Sequence, residues 1–273
     1  MFSKKKFLAV FAMMSLSVFA FTGCGEDQTA SNAKALKVGA TPVPHAEMLE
    51  QIKSDLKTND GIDLEIVEFN DYVQPNIALN DKELDANFFQ HQPYLDDFIS
   101  EHAEMKLKSA GGIHIEPMGI YSKKITKLDE LADGATVSIP NDPTNGGRAL
   151  LLLEKNNLLK LKEGVGEKAT VQDIVENPKN LQLQELEPAQ LPRTLEDVDI
   201  SVINTNFAME ANLVPTKDAL AMEDSTSPYV NVVVVRDGDE NRPEIQALMK
   251  ELKSDKIKNF IEEKYKGEVV PAF

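Results

Sequence analysis

The run Pro140-Asn-Asp-Pro-Thr-Asn-Gly-Gly-Arg148 carries the clearest chemistry in the chain. A strand-like segment, Thr136 to Ile139, leads into it, and the helical pattern of Thr144 to Leu158 overlaps its end. A helix starting there offers unpaired N–H groups and a positive dipole end, which suits an anion. Arg148 falls in the first turns. Its planar fork can hold a carboxylate through two charge-assisted bonds of roughly 1.5–3 kcal/mol each. Gly146 and Gly147 free the backbone nearby. An ordinary capped helix explains the same residues, with Thr144 or Asn145 as cap and Arg148 on the surface. From spacing alone that is the better reading. The run is not a phosphate loop, because the Gly-Lys-Ser/Thr ending is missing.

Three further polar or aromatic clusters sit at the ends of strand-like runs. Asn87-Phe-Phe-Gln-His-Gln-Pro-Tyr94 gathers Phe88, Phe89 and Tyr94 around His91. Neighbouring phenylalanines on a strand face opposite sides, so one can be core while the other walls a cleft. By composition, core is the commoner place for both. His91 could cap a helix, bond to backbone or bind metal. The other histidines, His45, His102 and His114, stand in unlike contexts, so no metal site is expected. Tyr72, in Phe69-Asn-Asp-Tyr72, could line a cleft, although an aromatic packed beside a turn fits equally well. Asn204 and Asn231 carry both donors and acceptors, which suits an ammonium and a carboxylate together; turn or cap chemistry is the plainer alternative.

Enzyme signatures are poor. The nucleophile elbow, the paired-histidine zinc motif and the dinucleotide fingerprint are all missing. Ser54-Asp-Leu-Lys57 has the spacing of a Ser-x-x-Lys pair but lies on an amphipathic helical pattern, where a solvated face is expected. Asp237-Gly-Asp-Glu-Asn241 lacks the glycine and terminal glutamate of a calcium loop and reads as a turn.

The elements that must position these residues alternate. Leu36–Ala40 reads as a strand and Pro44–Lys57 as a helix, with Met48, Leu49, Ile52 and Leu56 at helical spacing and Pro44 in its first turn. Strand patterns recur at Ile62–Phe69 and Leu84–Phe89, with helices at Val73–Leu79 and Tyr94–His102. Ile113–Tyr121 reads as one extended run. A second series follows: the strand at Thr136 and the helix after it, a short helix at Val171–Glu176, a strand at Leu181–Leu186, then a strand at Asp199–Ile203 leading to a helix from Asn204. The β-rich Tyr229–Arg236 precedes two helices striped by Ile245, Leu248, Met249, Leu252 and by Ile257, Phe260, Ile261. This alternation predicts mostly parallel sheets covered on both faces. Two successive series suggest two α/β lobes, the last segment returning to the first. Ligands in such folds bind beyond the carboxyl ends of strands, in the cleft.

Composition narrows the function classes. The chain has 273 residues, a formal net charge of −16, 42% hydrophobic residues and a single cysteine. The apolar share supports a core, and the acidic balance argues against nucleic-acid binding. One cysteine excludes an intrachain disulfide framework. Lys4, Lys5 and Lys6 precede an apolar stretch from Phe7 to Gly23, followed by Cys24. That order describes a secretory signal, and the stretch is marginal for a membrane span. The cysteine ending it resembles the lipobox of bacterial lipoproteins, although Phe21 stands where leucine is usual. The resemblance implies a signal peptide at 1–23, cleavage before Cys24 and its lipidation. Residues 24–35 would form a flexible tether. Cleavage removes three lysines and no acids, changing the net charge from −16 to −19.

The segments FNDYVQPNIAL, DANFFQHQPYLD, GIYSKKI, IPNDPTNGGRALLLLE, DIVENPKNL, QLPRTLEDVDISVIN and SPYVNVVVVR together resemble the methionine-binding lipoproteins of bacterial ABC importers, the NlpA lipoprotein family. The similarity runs from Leu36 to about Phe260. It implies a two-lobed periplasmic-binding-protein fold (type II), with residues 36–117 and 229–273 in one lobe, 118–228 in the other, and the ligand in the interlobe cleft. It also implies an aromatic cage for a thioether chain at Tyr72, Phe89, His91 and Tyr94. Arg148 and Asn145 would take the carboxylate, and Asn204 and Asn231 the rest of the amino-acid head group. The protein would then be a monomeric carrier on the extracytoplasmic face of the cell membrane, anchored through Cys24. It would deliver methionine, foremost L-methionine, to a permease and its ATPase, with no metal, cofactor or catalysis. D-methionine, a methionine derivative or a methionine-containing short peptide is the neighbouring alternative. A secreted enzyme or a surface adhesin is the alternative from another class; no nucleophile-base pair supports the first, and the second needs no cleft.

Overall fold

The computed structural model describes residues 34–224 and 226–273. The signal peptide, Cys24 and most of the expected tether lie outside them. The tether's last two residues do not: the first strand already begins at Lys34.

Thirteen strands are present among these residues: β1 (Lys34–Ala40), β2 (Ile62–Glu68), β3 (Ala86–His91), β4 (Leu107–Ile115), β5 (Gly119–Tyr121), β6 (Thr136–Pro140), β7 (Lys160–Leu161), β8 (Ile174–Glu176), β9 (Gln182–Leu186), β10 (Ile200–Ile203), β11 (Ala219–Met222), β12 (Val230–Arg236) and β13 (Val270–Pro271). The helices are α1 (Glu47–Asp60), α2 (Gln74–Asn80), α3 (Gln92–Glu101), α4 (Pro143–Lys155), α5 (Leu191–Thr194), α6 (Thr205–Glu210), α7 (Pro215–Asp218), α8 (Pro243–Leu252) and α9 (Asp255–Tyr265). One sheet runs β13-β4-β12-β3-β1-β2 and the second runs β11-β5-β10-β6-β9, while β7 and β8 pair separately.

Each large sheet has a parallel half and an antiparallel half. In the first, β1 pairs parallel with β2 and β3, whereas β12 runs antiparallel to β3 and β4. In the second, β6 pairs parallel with β9 and β10, whereas β5 runs antiparallel to β10 and β11. Two short segments pass between the sheets, one from β4 to β5 and one from β11 to β12. They are bonded to each other, with the Glu223 N–H donating to the Met118 carbonyl.

The helical stripes read from the sequence form the first core. Met48, Leu49, Ile52 and Leu56 of α1 are fully buried, packed with Leu36 and Val38 of β1 and with Ile245, Leu248 and Leu252 of α8. Each such side chain contributes about 1.5–3 kcal/mol of burial. Leu150, Leu152 and Leu153 of α4 fill the second core against Val137, Ile139, Ile200 and Val202.

Four expectations need correction. The first helix begins at Glu47, and Pro44 lies in the turn before it. The extended run at Ile113–Tyr121 is two strands in different sheets, broken at Glu116–Met118; a period-two pattern is blind to a change of sheet. Val171–Glu176 is a 3₁₀ turn closed by a Thr170–Asp173 capping box, followed by β8. The large sheets are mixed rather than mostly parallel, with β4, β5, β11, β12 and β13 pairing antiparallel. Gly147 is needed for packing: a Cβ there would stand 2.3 Å from the Glu167 carbonyl oxygen.

Candidate functional site

A pocket lies between the two sheets. Tyr72, Phe89, His91, Tyr94, Asn145, Arg148, Asn204 and Asn231, the eight residues singled out above, all line it, together with Gln90, Glu116, Thr205 and Asn206.

The turn before α2, strand β3 and helix α3 supply the aromatic wall. Pleating sends Phe88 into the first core and its neighbour Phe89 to the cavity. The rings of Tyr72 and Phe89 lie 5.9 Å apart between centroids, as do those of Tyr72 and Tyr94. A buried amide cluster, Asn76, Asn87 and Gln90, ties β3 to α2 and holds that wall. His91 ends β3 and caps α3: its Nδ1 accepts the Tyr94 N–H at 3.1 Å. With Nδ1 accepting, Nε2 carries the proton and donates to Asn145 Oδ1 at 3.1 Å. Burial, aided by the Arg148 charge, lowers the His91 pKa to about 3, so the ring is neutral.

The polar end comes from the second sheet. Asp142, not Thr144 or Asn145, caps α4, accepting the Asn145 N–H at 2.9 Å. The helix end therefore already faces a carboxylate. The Asn145 amide is engaged on both sides. Its oxygen accepts from His91 and from Asn204 Nδ2 at 2.8 Å, and its nitrogen donates to Asp142. Asn204 Oδ1 is buried without a partner among the described residues.

Arg148 is 3% exposed, not a surface residue. Glu223, on the segment from β11 to β12, accepts from its Nε at 2.8 Å and its Nη2 at 2.5 Å. Nη2 also donates to the Glu116 carbonyl, and the guanidinium lies 4.1 Å from the centre of the Tyr229 ring. Burial opposes the arginine's charge, but the Glu223 ion pair outweighs it and raises its pKa. Nη1 has no protein acceptor among the described residues. Both crossing segments thus meet at one guanidinium carried by α4.

Two histidines that stand 69 positions apart converge beneath the cavity. His114 Nε2 lies 2.7 Å from Glu116 Oε1, and His45 Nε2 lies 3.3 Å from the same oxygen and 3.2 Å from Asn231 Oδ1. Both neighbours of the His45 Nε2 are acceptors, so that nitrogen carries the proton; Nδ1 accepts from the Thr41 hydroxyl at 2.7 Å. Burial lowers His45 to about pKa 4 and His114 to about pKa 3. Among the described residues these three side chains are the group able to hold a metal ion, their ligand atoms lying within 4.8 Å of one another. The bonds of His114 to Glu116 and of His45 to Asn231 already satisfy the facing nitrogens. The expectation that the histidines lie apart holds only for His102, which bonds to the Phe98 carbonyl on α3.

Glu116, Glu223, Tyr229 and Asn206 were missed from sequence. One signal was available: His114 and Glu116, and Tyr229 and Asn231, are each two residues apart. In extended chain that spacing puts both members on one face. No such signal marks Glu223.

A family model described as NlpA lipoprotein matches residues 36–273. An Escherichia coli protein, the D-methionine-binding lipoprotein MetQ, is 45% identical over 258 residues, covering 94% of this chain and 93% of the relative. The structure of a Burkholderia cenocepacia nutrient-binding protein bound to methionine is 48% identical, covers 87% of this chain and all of its own, and has a TM-score of 0.84. A periplasmic substrate-binding protein of an ABC transporter from Coxiella burnetii is 43% identical over 87% of this chain and all of its own, with a TM-score of 0.83. The fold is the two-lobed, mixed α/β fold of periplasmic binding proteins. The chain belongs to the NlpA lipoprotein family.

Proposed function

We propose that this protein captures methionine between its lobes and delivers it to an ABC importer, acting as a carrier and not as a catalyst. The supporting observation is the cavity itself, with an aromatic wall at one side and an Arg148–asparagine end at the other. Tyr72, Phe89 and Tyr94 suit a thioether, each sulfur–aromatic contact contributing about 0.3–1.5 kcal/mol. Nη1 of Arg148 takes the ligand carboxylate. Asn204 and Asn231 hold the remaining head group, and Asn145 and His91 act mainly by joining the two sheets around it. Residues 36–117 with 229–273 form one lobe and 118–228 the other, hinged at the two crossing segments. The names of relatives support methionine: one is called D-methionine-binding, another is bound to methionine. L-methionine is the foremost ligand of this reading, with D-methionine, a derivative or a short methionine peptide as the second.

Among the described residues no helix is long and apolar enough to cross a membrane. Attachment is assigned to lipidated Cys24, on the extracytoplasmic face, and the protein acts as a monomer. Isothermal titration with L-methionine, D-methionine, methionine sulfoxide and glycyl-methionine tests the ligand. Tight L-methionine binding supports the reading; no heat with any of the four defeats it. Cys24→Ser is expected to release the protein from the membrane fraction.

A further inference from the structure

We propose that Glu116 is the counter-charge for the ligand's α-ammonium, so that a free amine is a condition of binding. This rests on the amino-acid reading of the cavity and deepens it.

Glu116 and Arg148 are the acidic and the basic side chain lining the cavity. They are neutralised differently. Arg148 is met by Glu223 before any ligand arrives. The bond from Arg148 to Glu116 goes to the backbone carbonyl, not to the carboxylate. The Glu116 carboxylate has neutral partners instead, His114 Nε2 at 2.7 Å and His45 Nε2 at 3.3 Å. His114 Nε2 bonds to it, the Asn206 backbone N–H donates to it, and the His45 N–H, bonded to Asn231 Oδ1, lies beside it; donors so placed favour the anion over the acid. A buried anion held only by neutral donors is incompletely compensated.

Asn204 Oδ1 adds a second, neutral acceptor on the same cavity, buried and, among the described residues, unpartnered, in a residue 6% exposed. An anion and a lone acceptor fit an –NH3⁺ group, which brings a positive charge and three donors. An amide N–H brings one donor and no charge, so an N-acylated methionine or the amide nitrogen of a short peptide leaves Glu116 uncompensated. Burial pushes the Glu116 carboxyl upward, against the pull of His45, Arg148 and the Asn206 backbone N–H. The site therefore selects free amino acids over N-blocked forms.

Titration calorimetry on the full protein compares methionine with N-acetylmethionine and 4-methylthiobutanoate, which lacks the amine. Wild type is expected to bind both amine-blocked and amine-free forms about 100-fold more weakly or less well still, the scale for an unpaired buried charge. Glu116→Gln is expected to weaken methionine by a similar factor and to change 4-methylthiobutanoate by less than about threefold, because only the amine contact is lost. Wild type binding methionine and its amine-free analogue equally overturns the proposal, and that result needs no variant. Methionine affinity surviving Glu116→Gln in a folded variant also overturns it. If methionine does not bind but another free amino acid does, and Glu116→Gln abolishes that binding, the ammonium site stands and the methionine reading falls. If only amine-free carboxylates bind, both fall.

Discussion

Arg148 and Glu116 are buried charges of opposite sign on one cavity, and the fold treats them differently. Arg148 has a carboxylate of its own in Glu223, two bonds deep, and a tyrosine ring across its face. Its charge is part of the architecture whether or not ligand is present. Glu116 is surrounded by neutral imidazoles and leaves a charge exposed toward the cavity. The first arrangement holds the sheets and crossing segments together; the second reserves its electrostatics for the ligand. A charge can thus be essential to a site either by being matched within the protein or by being left unmatched.

The largest effect should come from breaking the matched charge. Arg148→Ala strands Glu223 in a partly buried setting and is expected to cost about 3 kcal/mol of stability in urea denaturation, besides several kcal/mol of ligand binding. Removing Glu223 as well should restore much of the stability and none of the binding. A double variant as unstable as the single would show that Glu223 is not the stranded partner. Glu116→Gln should do the reverse: stability stays within about 1 kcal/mol of wild type, since the histidine donors still meet an oxygen. An equally large loss of stability there would erase the contrast.

Tyr72→Phe gives a smaller effect. Its hydroxyl donates to Asn206 Oδ1 at 2.6 Å, joining the aromatic wall to α6. Its loss is expected to destabilise by about 1 kcal/mol and to leave the ring contacts intact, readable as a small drop in denaturation midpoint.

The smallest effect concerns Glu210 at the end of α6. Burial raises its carboxyl to about pKa 7, opposed by a bond with Asn206 and reinforced by the charges of Glu116 and Glu68. The unfolded chain releases that proton near the ordinary value of 4.5. Between those values the native state holds more protons, so stability falls as pH rises from about 4.5 to 7 and is level above that. Melting scans from pH 5 to 8 should show this decline, and Glu210→Gln should flatten it. The group is partly exposed, which keeps the slope shallow. An unchanged slope in the variant would assign the decline to another group.

Much of this was legible in the sequence because it is local. The α1 stripe of Met48, Leu49, Ile52 and Leu56 is buried as its spacing requires. The opposed fates of Phe88 and Phe89 follow from pleating alone. Local chemistry failed where two local answers competed. Thr144 and Asn145 are good caps, but Asp142 precedes Pro143, and proline at the first helical position puts the cap on the residue before it. Arg148 looked like a surface residue because nothing near it in sequence could neutralise it.

By itself, then, the sequence determined the alternating elements, their buried faces and the polar clusters at strand ends, because periodicity and turn chemistry act over a few residues. Its family motifs also carried the expectation of a lipid-anchored carrier. Only the tertiary structure decided what those clusters mean. Glu223 reaches Arg148 across 75 positions, and His45 reaches Asn231 across 186. Such pairs form because parallel strands bring distant strand ends to one edge and two crossing segments bind the sheets there. Burial then turns ordinary side chains into a matched pair, a neutral histidine cluster and one charge left facing the cavity.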